Sequence, residues 1–186
     1  MTNRPESRHR RSIRLQAYDY AGTGAYFITI ATKDRSCLFG DVVDGEMRPN
    51  DWGRTVQDEW AKSAQIRKEI ELDAFVVMPN HVHGVIIIAD GKGRATGRSP
   101  LQSGPSGRSL GALVAGFKAA ATKRINTARG SPGEPIWQRN YFEHVIRNED
   151  SLNRIRQYIL DNPMHWEFDR ENPAALKPET DYAWRQ

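Results

Sequence analysis

MPNHVHGVIII, residues 78–88, carries the strongest structural signal in the sequence. Its last four residues are β-branched and apolar, which predicts a buried strand that begins near the two histidines. Because side chains alternate between the two faces of a strand, His81 and His83 point to the same side. Two imidazoles in that position can share one divalent metal ion, and burying both without a partner would be costly. The stretch therefore predicts a metal site on one face of a strand.

Further strands are predicted on both sides of the histidine strand. Apolar, β-branched and aromatic runs occupy residues 25–32, 72–78 and 136–146. Pro79-Asn80 is a tight break, so strand 72–78 and the histidine strand are expected to pair antiparallel in the centre of a sheet. Asp44-Gly45 lies between short β-prone runs, which predicts a hairpin within residues 37–48.

Three helices are predicted from capping residues and from apolar residues at helical spacing. They run from Asn50 or Asp51 to residue 66, from Ser109 over residues 110–126, and from Asn148 over residues 149–161, where Asn162-Pro163 ends the last one. The expected apolar side of the first is Val56, Trp60 and Ile66, and that of the second is Leu110, Leu113, Val114, Phe117, Ala121 and Ile125. This order of elements is that of a ferredoxin-like, RRM-like α+β sandwich with a central antiparallel sheet and an extra C-terminal helix.

Basic residues are concentrated in two blocks of the sequence. The chain of 186 residues has a formal net charge of +4 and a pI of about 9.3. Residues 91–133 contain eight basic side chains and no acidic one, and residues 1–14 contain five arginines. Such blocks are either solvated, unstructured arms or surfaces for a polyanion. Their position on either side of a candidate metal site favours nucleic acid as the partner, with residues 1–14 as a flexible basic arm.

The remaining composition excludes several classes of protein. A single cysteine, Cys37, rules out an internal disulfide and a cysteine-rich zinc module. The longest apolar run, residues 85–89, is too short to span a bilayer, and the arginine-rich N-terminus lacks the apolar segment of a secretion signal. The sequence predicts a cytoplasmic protein with no membrane partner.

Tyr158 and Asn162 lie four residues apart on the last predicted helix, on neighbouring turns of one face. Taken alone, Tyr158 could bury its ring and leave its hydroxyl in water, and Asn162 could simply end a helix before proline. Beside a metal-bound phosphate, however, a phenol with a pKa of about 10 need lose its proton only as it attacks. Two imidazoles and an amide oxygen would leave coordination positions open for phosphate and water, which suits Mg²⁺ or Mn²⁺ better than a closed zinc site.

Short motifs spread along the chain carry a further signal. They are Arg14-Leu15 with Tyr18-Asp19-Tyr20, Tyr26-Phe27-Ile28-Thr29, Met78-Pro79-Asn80-His81-Val82-His83, Gly116-Phe117-Lys118, Trp137-Gln138, Glu143-His144-Val145-Ile146-Arg147-Asn148 and Tyr158-Ile159-Leu160-Asp161-Asn162-Pro163. In this order the chain resembles the HUH single-tyrosine transposases, and among them the REP-associated tyrosine transposases. The resemblance covers residues 12–166, and the ordered set is far more specific than His-Val-His alone.

The resemblance implies a single HUH nuclease domain over residues 15–166, with residues 167–186 as a tail packed on it. It implies that His81, His83 and Asn162 hold a divalent metal, Mg²⁺ or Mn²⁺, and that Tyr158 is the catalytic nucleophile. Insertion-sequence relatives usually have glutamine where this chain has Asn162, whereas the REP-associated ones have asparagine. The family cuts single-stranded DNA, leaving a 5′-phosphotyrosine link and a free 3′-hydroxyl, so that strands can be rejoined without ATP.

The partner implied by the resemblance is single-stranded DNA with REP-like imperfect palindromic hairpins. Basic residues of both blocks, and one beyond them, are the candidates for holding its phosphates: Arg11, Arg14, Lys118, Lys123, Arg124 and Arg139. Relatives act as monomers or as homodimers, so both oligomeric states stay open here. Such a protein is expected at the nucleoid.

Two alternatives compete with this interpretation of the function. One is a catalytically idle DNA-binding protein that regulates through the same fold, and another is an RNA-binding ferredoxin-like domain whose sheet aromatics stack bases. Histidines on the sheet face disfavour the RNA-binding domain, and the complete set of candidate catalytic residues disfavours the idle protein. Tyr141 is a rival nucleophile, but no residue of a metal-ligand type lies at a helical spacing from it. His144 and His165 are expected to be structural.

Overall fold

The described part of the chain, residues 23–89, 109–175 and 177 of a computed structural model, contains six strands and three α-helices. In chain order they are β1 (Gly24–Ala31), β2 (Gly40–Val43), β3 (Glu46–Pro49), α1 (Asp51–Ile66), β4 (Ile70–Val77), β5 (His81–Ile88), α2 (Leu110–Ala128), β6 (Phe142–Ile146) and α3 (Glu149–Asp161). A 3₁₀ helix, Asn162–Phe168, continues directly from α3. None of the helices in these ranges is both long and apolar enough to cross a bilayer. The predicted arm 1–14, with Arg11 and Arg14, and the glycine-rich stretch 91–107 lie outside the described residues.

Four strands form one antiparallel sheet in the order β4-β5-β1-β6, and β2 and β3 form a separate hairpin. With the hairpin set aside, this is the strand order of a ferredoxin-like sandwich, which confirms the predicted fold class. The antiparallel pairing of β4 with β5 is also confirmed, but the central position expected for β4 is wrong. The chain crosses over through α1 from β1 to β4 and leaves one strand position open between them. Strand β5 occupies that position, so β4 lies at the edge of the sheet.

The helices divide between the two faces of this sheet. On the face covered by α1 and α2, Trp60 stacks on Phe75 with ring centroids 4.5 Å apart, and all six predicted apolar residues of α2 are buried. On the other face, Ile155 and Ile159 of α3 pack on Phe27 of β1. The sheet therefore has a separate apolar cluster on each side.

Capping residues start the helices where the sequence predicted. Asn50 accepts hydrogen bonds from the Trp52 and Gly53 amides at the start of α1, and Ser109 and Asn148 cap α2 and α3 in the same way. The predicted hairpin turn is also present, with φ of 54° at Asp44 and 76° at Gly45.

Two local expectations are wrong. Ile66 does not belong to the buried side of α1, since it is 79% exposed; it follows Trp60 by six residues, which turns it about 120° away around the helix. The strand expected over 136–146 forms only as β6, because Trp137 makes an isolated bridge to Thr32 instead of joining the sheet. At Asn162-Pro163 the α-helix ends as predicted, and the chain continues as a 3₁₀ helix.

Candidate active site

The two histidines lie at the start of β5 on the face that α3 covers. Both rings are fully buried, and the two Nε2 atoms face each other at 3.0 Å. On the opposite face of the same strand, Gly84 leaves room for Trp60, whose ring a Cβ at this position would approach to 2.6 Å. The alternation predicted for His-Val-His is therefore present, with polar side chains on one side and the apolar cluster on the other.

Asn80 fixes the tautomer of His81. Its Nδ2 donates to the carbonyl oxygens of Arg35 and Glu171, at 3.0 and 2.7 Å, so its Oδ1 is the atom 2.9 Å from His81 Nδ1. An amide oxygen can only accept, hence Nδ1 of His81 carries the hydrogen. In the neutral ring this leaves the lone pair on Nε2, the atom that faces His83. An outer partner of this kind is what orients a metal-binding histidine.

His83 is held between a hydroxyl and two aromatic rings. Its Nδ1 lies 2.9 Å from Thr29 Oγ1 on β1, and its ring stacks on Phe27 at 5.3 Å between centroids. Its Nε2 lies 3.3 Å from the hydroxyl oxygen of Tyr158. The half-buried Tyr158 thus brings its phenol into the same pocket as the two imidazoles.

Burial keeps both histidines neutral near pH 7. It lowers the pKa of His81, an effect opposed by the Asp169 and Glu171 carboxylates and by the Asn162 side chain. It lowers the pKa of His83 well below the usual value, with the nearby His81 as a second cause. The neutral imidazole, in which one ring nitrogen has a lone pair, is the form of histidine that binds metals.

Asn162 lies at the junction of α3 and the 3₁₀ helix and is buried, as a ligand for the histidine pocket would be. Its Nδ2 donates to Asp169 Oδ2 at 3.1 Å. Its Oδ1 is buried and has no partner at hydrogen-bonding geometry among the described residues. An orphaned buried oxygen is costly, and a cation in the pocket would satisfy it.

Asp169 is the site residue that the sequence did not reveal. It is buried, one carboxylate oxygen lies 3.9 Å from His81 Nε2, and with His81 and His83 it forms a group of possible metal ligands within 4.8 Å of one another. Its Oδ1 accepts from the Glu171 amide at 2.6 Å, which fixes its orientation. Glu167, two residues earlier, is exposed, and no pattern in the sequence separates the two carboxylates. The path of the 3₁₀ helix is what buries Asp169 beside the histidines and leaves Glu167 exposed.

The remaining aromatic and histidine candidates are Tyr141, His165 and His144. Tyr141 packs against the apolar cluster of α1 and α2, whereas Tyr158 packs against that of α3. His165 is exposed, and its Nδ1 lies 3.1 Å from the carbonyl oxygen of Asp161. His144 is half-buried on β6, opposite Phe27 in the strand pairing. Of the two candidate nucleophiles, Tyr158 is the one beside the histidines.

The basic candidates on the α2 side are of two kinds: side chains bonded to other groups of the protein, and exposed side chains that line a groove. Lys118 Nζ donates to the carbonyl oxygens of Gln138, Arg139 and Asn140, at 2.6 to 3.3 Å, and burial lowers its pKa to about 8. Arg124 pairs with Glu59 at 2.6 Å and with Asp58 at 3.3 Å.

Lys123 and the Arg139 side chain are exposed and line a groove of about 850 Å³ between α2 and residues 130–139. Trp137 lies in the wall of this groove. The groove belongs to the α2 side of the sheet, whereas the histidines face α3. A strand of nucleic acid would therefore meet the basic groove and the histidine pocket on different sides of the molecule.

Comparison with known proteins identifies relatives both in sequence and in structure. No model of a known protein family matches the chain. An uncharacterized protein of Haemophilus influenzae is 42% identical over 171 residues, which cover 87% of this chain and 92% of that protein. The solved structure of a REP-associated tyrosine transposase bound to a REP hairpin has a TM-score of 0.56 at 21% identity, over 82% of this chain and 73% of that one.

A second solved structure, of a putative transposase from Deinococcus radiodurans, has a TM-score of 0.44 at 21% identity, over 80% of this chain and 97% of that one. The predicted HUH-type fold is confirmed by the first of these structures together with the antiparallel sheet and its three helices. The chain therefore belongs to the family of the Haemophilus influenzae protein, and it has the fold of the REP-associated tyrosine transposase.

Proposed function

We propose that this protein is a metal-dependent endonuclease and strand transferase for single-stranded DNA, with Tyr158 as its nucleophile. The observation that carries the proposal is the phenol oxygen 3.3 Å from His83 Nε2, in the pocket where the two histidine Nε2 atoms face each other. A tyrosine hydroxyl beside a buried, metal-type donor set suits phosphoryl transfer. Action on chromosomal DNA would place the protein at the nucleoid.

His81, His83 and Asp169 would hold the metal ion, with Asn162 Oδ1 as a further ligand. The donor chemistry fits, because two imidazoles and one carboxylate offer ligand atoms within 4.8 Å of one another, and Asn162, which donates to that carboxylate, has a buried amide oxygen without a partner among the described residues. Imidazole ligands favour Mn²⁺ over Mg²⁺, which prefers carboxylates and water. When bound, the ion would draw charge from the phosphoryl oxygens.

The reaction that this pocket suits is a transesterification. The Tyr158 oxygen attacks the phosphorus, a phosphorus–oxygen bond to tyrosine forms, and the bond to the 3′ oxygen breaks. The phenolic proton passes to water, and the departing 3′ oxygen takes up a proton to become a free hydroxyl. The 5′-phosphotyrosine link keeps the energy of the phosphodiester, so attack by a second 3′-hydroxyl rejoins strands and releases Tyr158.

The substrate class we propose is DNA with REP-like imperfect hairpins. Support comes from the shared fold, since the solved relative is a REP-associated tyrosine transposase bound to a REP hairpin. Lys123 and Arg139 are the described basic candidates whose charges face solvent, so we assign them phosphate contacts, together with Arg11 and Arg14 from the N-terminal block. Lys118 and Arg124 would contribute mainly by holding the groove in shape, because their donors are already engaged.

A covalent-adduct assay tests the proposal. A labelled single strand with an imperfect hairpin is incubated with the protein and Mn²⁺, and protein–DNA adducts are separated on a denaturing gel. We expect an adduct with the native protein and with Tyr141→Phe, and none with Tyr158→Phe or with a chelator present. An adduct that persists in Tyr158→Phe contradicts the nucleophile, and one that persists in chelator contradicts the metal. DNA binding with no adduct in any sample would favour the catalytically idle regulator instead.

A further inference from the structure

Among the described residues, the helix that carries Tyr158 packs mainly on the sheet. Within the described residues, α3 is the one α-helix on its face, and it buries Leu152, Ile155 and Ile159 there. Its outer side faces solvent, with Leu160 67% exposed. These three side chains set which face of the helix is buried, but apolar contact is non-directional, so it restricts small rotations and slides of the helix less tightly than a directional polar contact does.

A bulge in the edge strand lies under this helix. Leu72 of β4 pairs with Ile86 of β5, but the next pair is Phe75 with Gly84. Asp73 and Ala74 therefore stand together opposite a single residue of β5, Val85. Leu72 and Phe75 both pack on the α1–α2 side, so the extra residue lets Asp73 and Ala74 both turn towards α3. Bulges of this kind often re-aim a side chain next to a functional site.

Asp73 uses this position to bind Arg156 of α3 with both carboxylate oxygens. Arg156 Nε donates to Oδ1 at 2.9 Å and Nη2 donates to Oδ2 at 2.7 Å. Oδ1 also accepts from the Ala74 amide, at 2.6 Å, and hydrogen bonds from Arg156 hold the pKa of Asp73 below its usual value. The third guanidinium nitrogen, Nη1, donates to Asn153 and Glu149 on the same helix.

We propose that Asp73 and Arg156 form a positioning clamp that sets where the Tyr158 hydroxyl lies relative to the histidines. A bidentate pair fixes both the angle and the distance between its partners, unlike a single ion pair. Arg156 lies two residues before Tyr158, so a rotation or a slide of α3 at Arg156 would carry the phenol with it. The inference rests on the proposed nucleophile, and it assigns a role to the bulge that the apolar cluster alone does not require.

The clamp differs from an ordinary stabilising ion pair in what its loss should change. An ordinary ion pair contributes only to stability, so its loss would leave the rate of the folded enzyme unchanged. Misplacing a reacting group by about 1 Å can cost about a hundredfold in rate. Loss of the clamp should therefore reduce the rate of adduct formation while DNA and metal affinity change little.

The test compares four variants of the full chain. Asp73→Asn keeps the acceptor for the Ala74 amide but loses the charge, Arg156→Lys keeps the charge but not the two-pronged geometry, and Asp73→Arg/Arg156→Asp exchanges the partners. Arg154→Gln is the matched control, because it removes one arginine from an exposed position of the same helix. Each is measured for the single-turnover rate of adduct formation at saturating hairpin DNA and Mn²⁺, and for DNA and Mn²⁺ affinity. A second readout is the fluorine NMR signal of 3-fluorotyrosine at position 158, assigned by its loss in Tyr158→Phe.

We expect Asp73→Asn to form adduct at least about tenfold more slowly, Arg156→Lys to be intermediate, and the exchange variant to recover part of the rate. The fluorine signal should shift or broaden in Asp73→Asn and stay unchanged in Arg154→Gln. A full adduct rate and an unchanged signal in Asp73→Asn would overturn the clamp, whatever its melting temperature. If the native protein forms no adduct at all, the proposed function fails, and the fluorine signal then decides whether the pair positions Tyr158.

Discussion

The two faces of β5 differ in what they demand of the sequence. On the α1–α2 face, Val82, Gly84 and Ile86 take part in close packing, where a shape error costs stability. On the α3 face, His81 and His83 are buried polar groups whose hydrogen-bonding atoms are each assigned to a partner. Since the apolar residues and the histidines alternate along β5, the same strand contributes to the apolar core and to the candidate site. Substitutions one residue apart on β5 should therefore separate an effect on stability from an effect on metal binding.

His81→Ala should give the largest effect, on metal affinity. It removes a ligand rather than a ligand's partner, so we expect a loss larger than the 10–100-fold typical of outer partners. Removing one of two facing, fully buried rings also removes a polar group that is costly to bury, which offsets part of the cavity left behind. Titration with Mn²⁺ followed by electron paramagnetic resonance measures the affinity, and thermal unfolding in chelator measures stability. Unchanged Mn²⁺ affinity would contradict the assignment of metal binding to the α3 face of β5.

Gly84→Ala should have the reverse signature. Its Cβ would lie 2.6 Å from Trp60 Cζ2 and 3.2 Å from Phe75 Cδ2, and overpacking of this kind costs about 1–3 kcal/mol. We expect the free energy of unfolding to fall by that amount while the Mn²⁺ affinity of the folded protein stays the same. Denaturant unfolding in chelator, followed by Mn²⁺ titration of the folded variant, separates the two. A loss of Mn²⁺ affinity equal to that of His81→Ala would mean that the faces are not independent.

Asn80→Ala should affect both metal affinity and stability, because Asn80 contacts the His81 ring and also two backbone carbonyl groups. It removes the acceptor that holds His81 in the Nδ1–H tautomer, which we expect to weaken Mn²⁺ binding by about 10–100-fold. It also leaves the carbonyl oxygens of Arg35 and Glu171 without their donor, so stability should fall by about 1–3 kcal/mol. The same Mn²⁺ titration and unfolding experiments apply. Native Mn²⁺ affinity in this variant would show that the tautomer is set by something other than Asn80.

How much of the molecule could be predicted from its sequence depends on how local each structural signal is. The alternation of His81, Val82 and His83 and the capping residues predicted the strand, its faces and the helix starts, because each depends on residues a few positions apart. Asp169 could not be predicted, because its place depends on a 3₁₀ helix that no capping signal marks. The bulge at Asp73 was equally hidden. It interrupts the strand pattern by one residue, and the contact of Asp73 with Arg156 of α3 is visible only in the folded chain.

The smallest effect is expected at the basic groove between α2 and residues 130–139. Lys123→Ala and Arg139→Ala each remove an exposed charge that we assign to DNA phosphate, so each should weaken hairpin binding by about 1 kcal/mol or less and reduce its salt dependence. Arg124→Ala should lower stability more than binding, since it breaks the ion pair with Glu59 between α1 and α2. Hairpin affinity measured over a range of salt concentrations, beside thermal unfolding, distinguishes the two classes. If Arg124→Ala flattens the salt dependence as much as Lys123→Ala does, the guanidinium must leave Glu59 when DNA binds, and the groove would then be remodelled by its ligand rather than preformed.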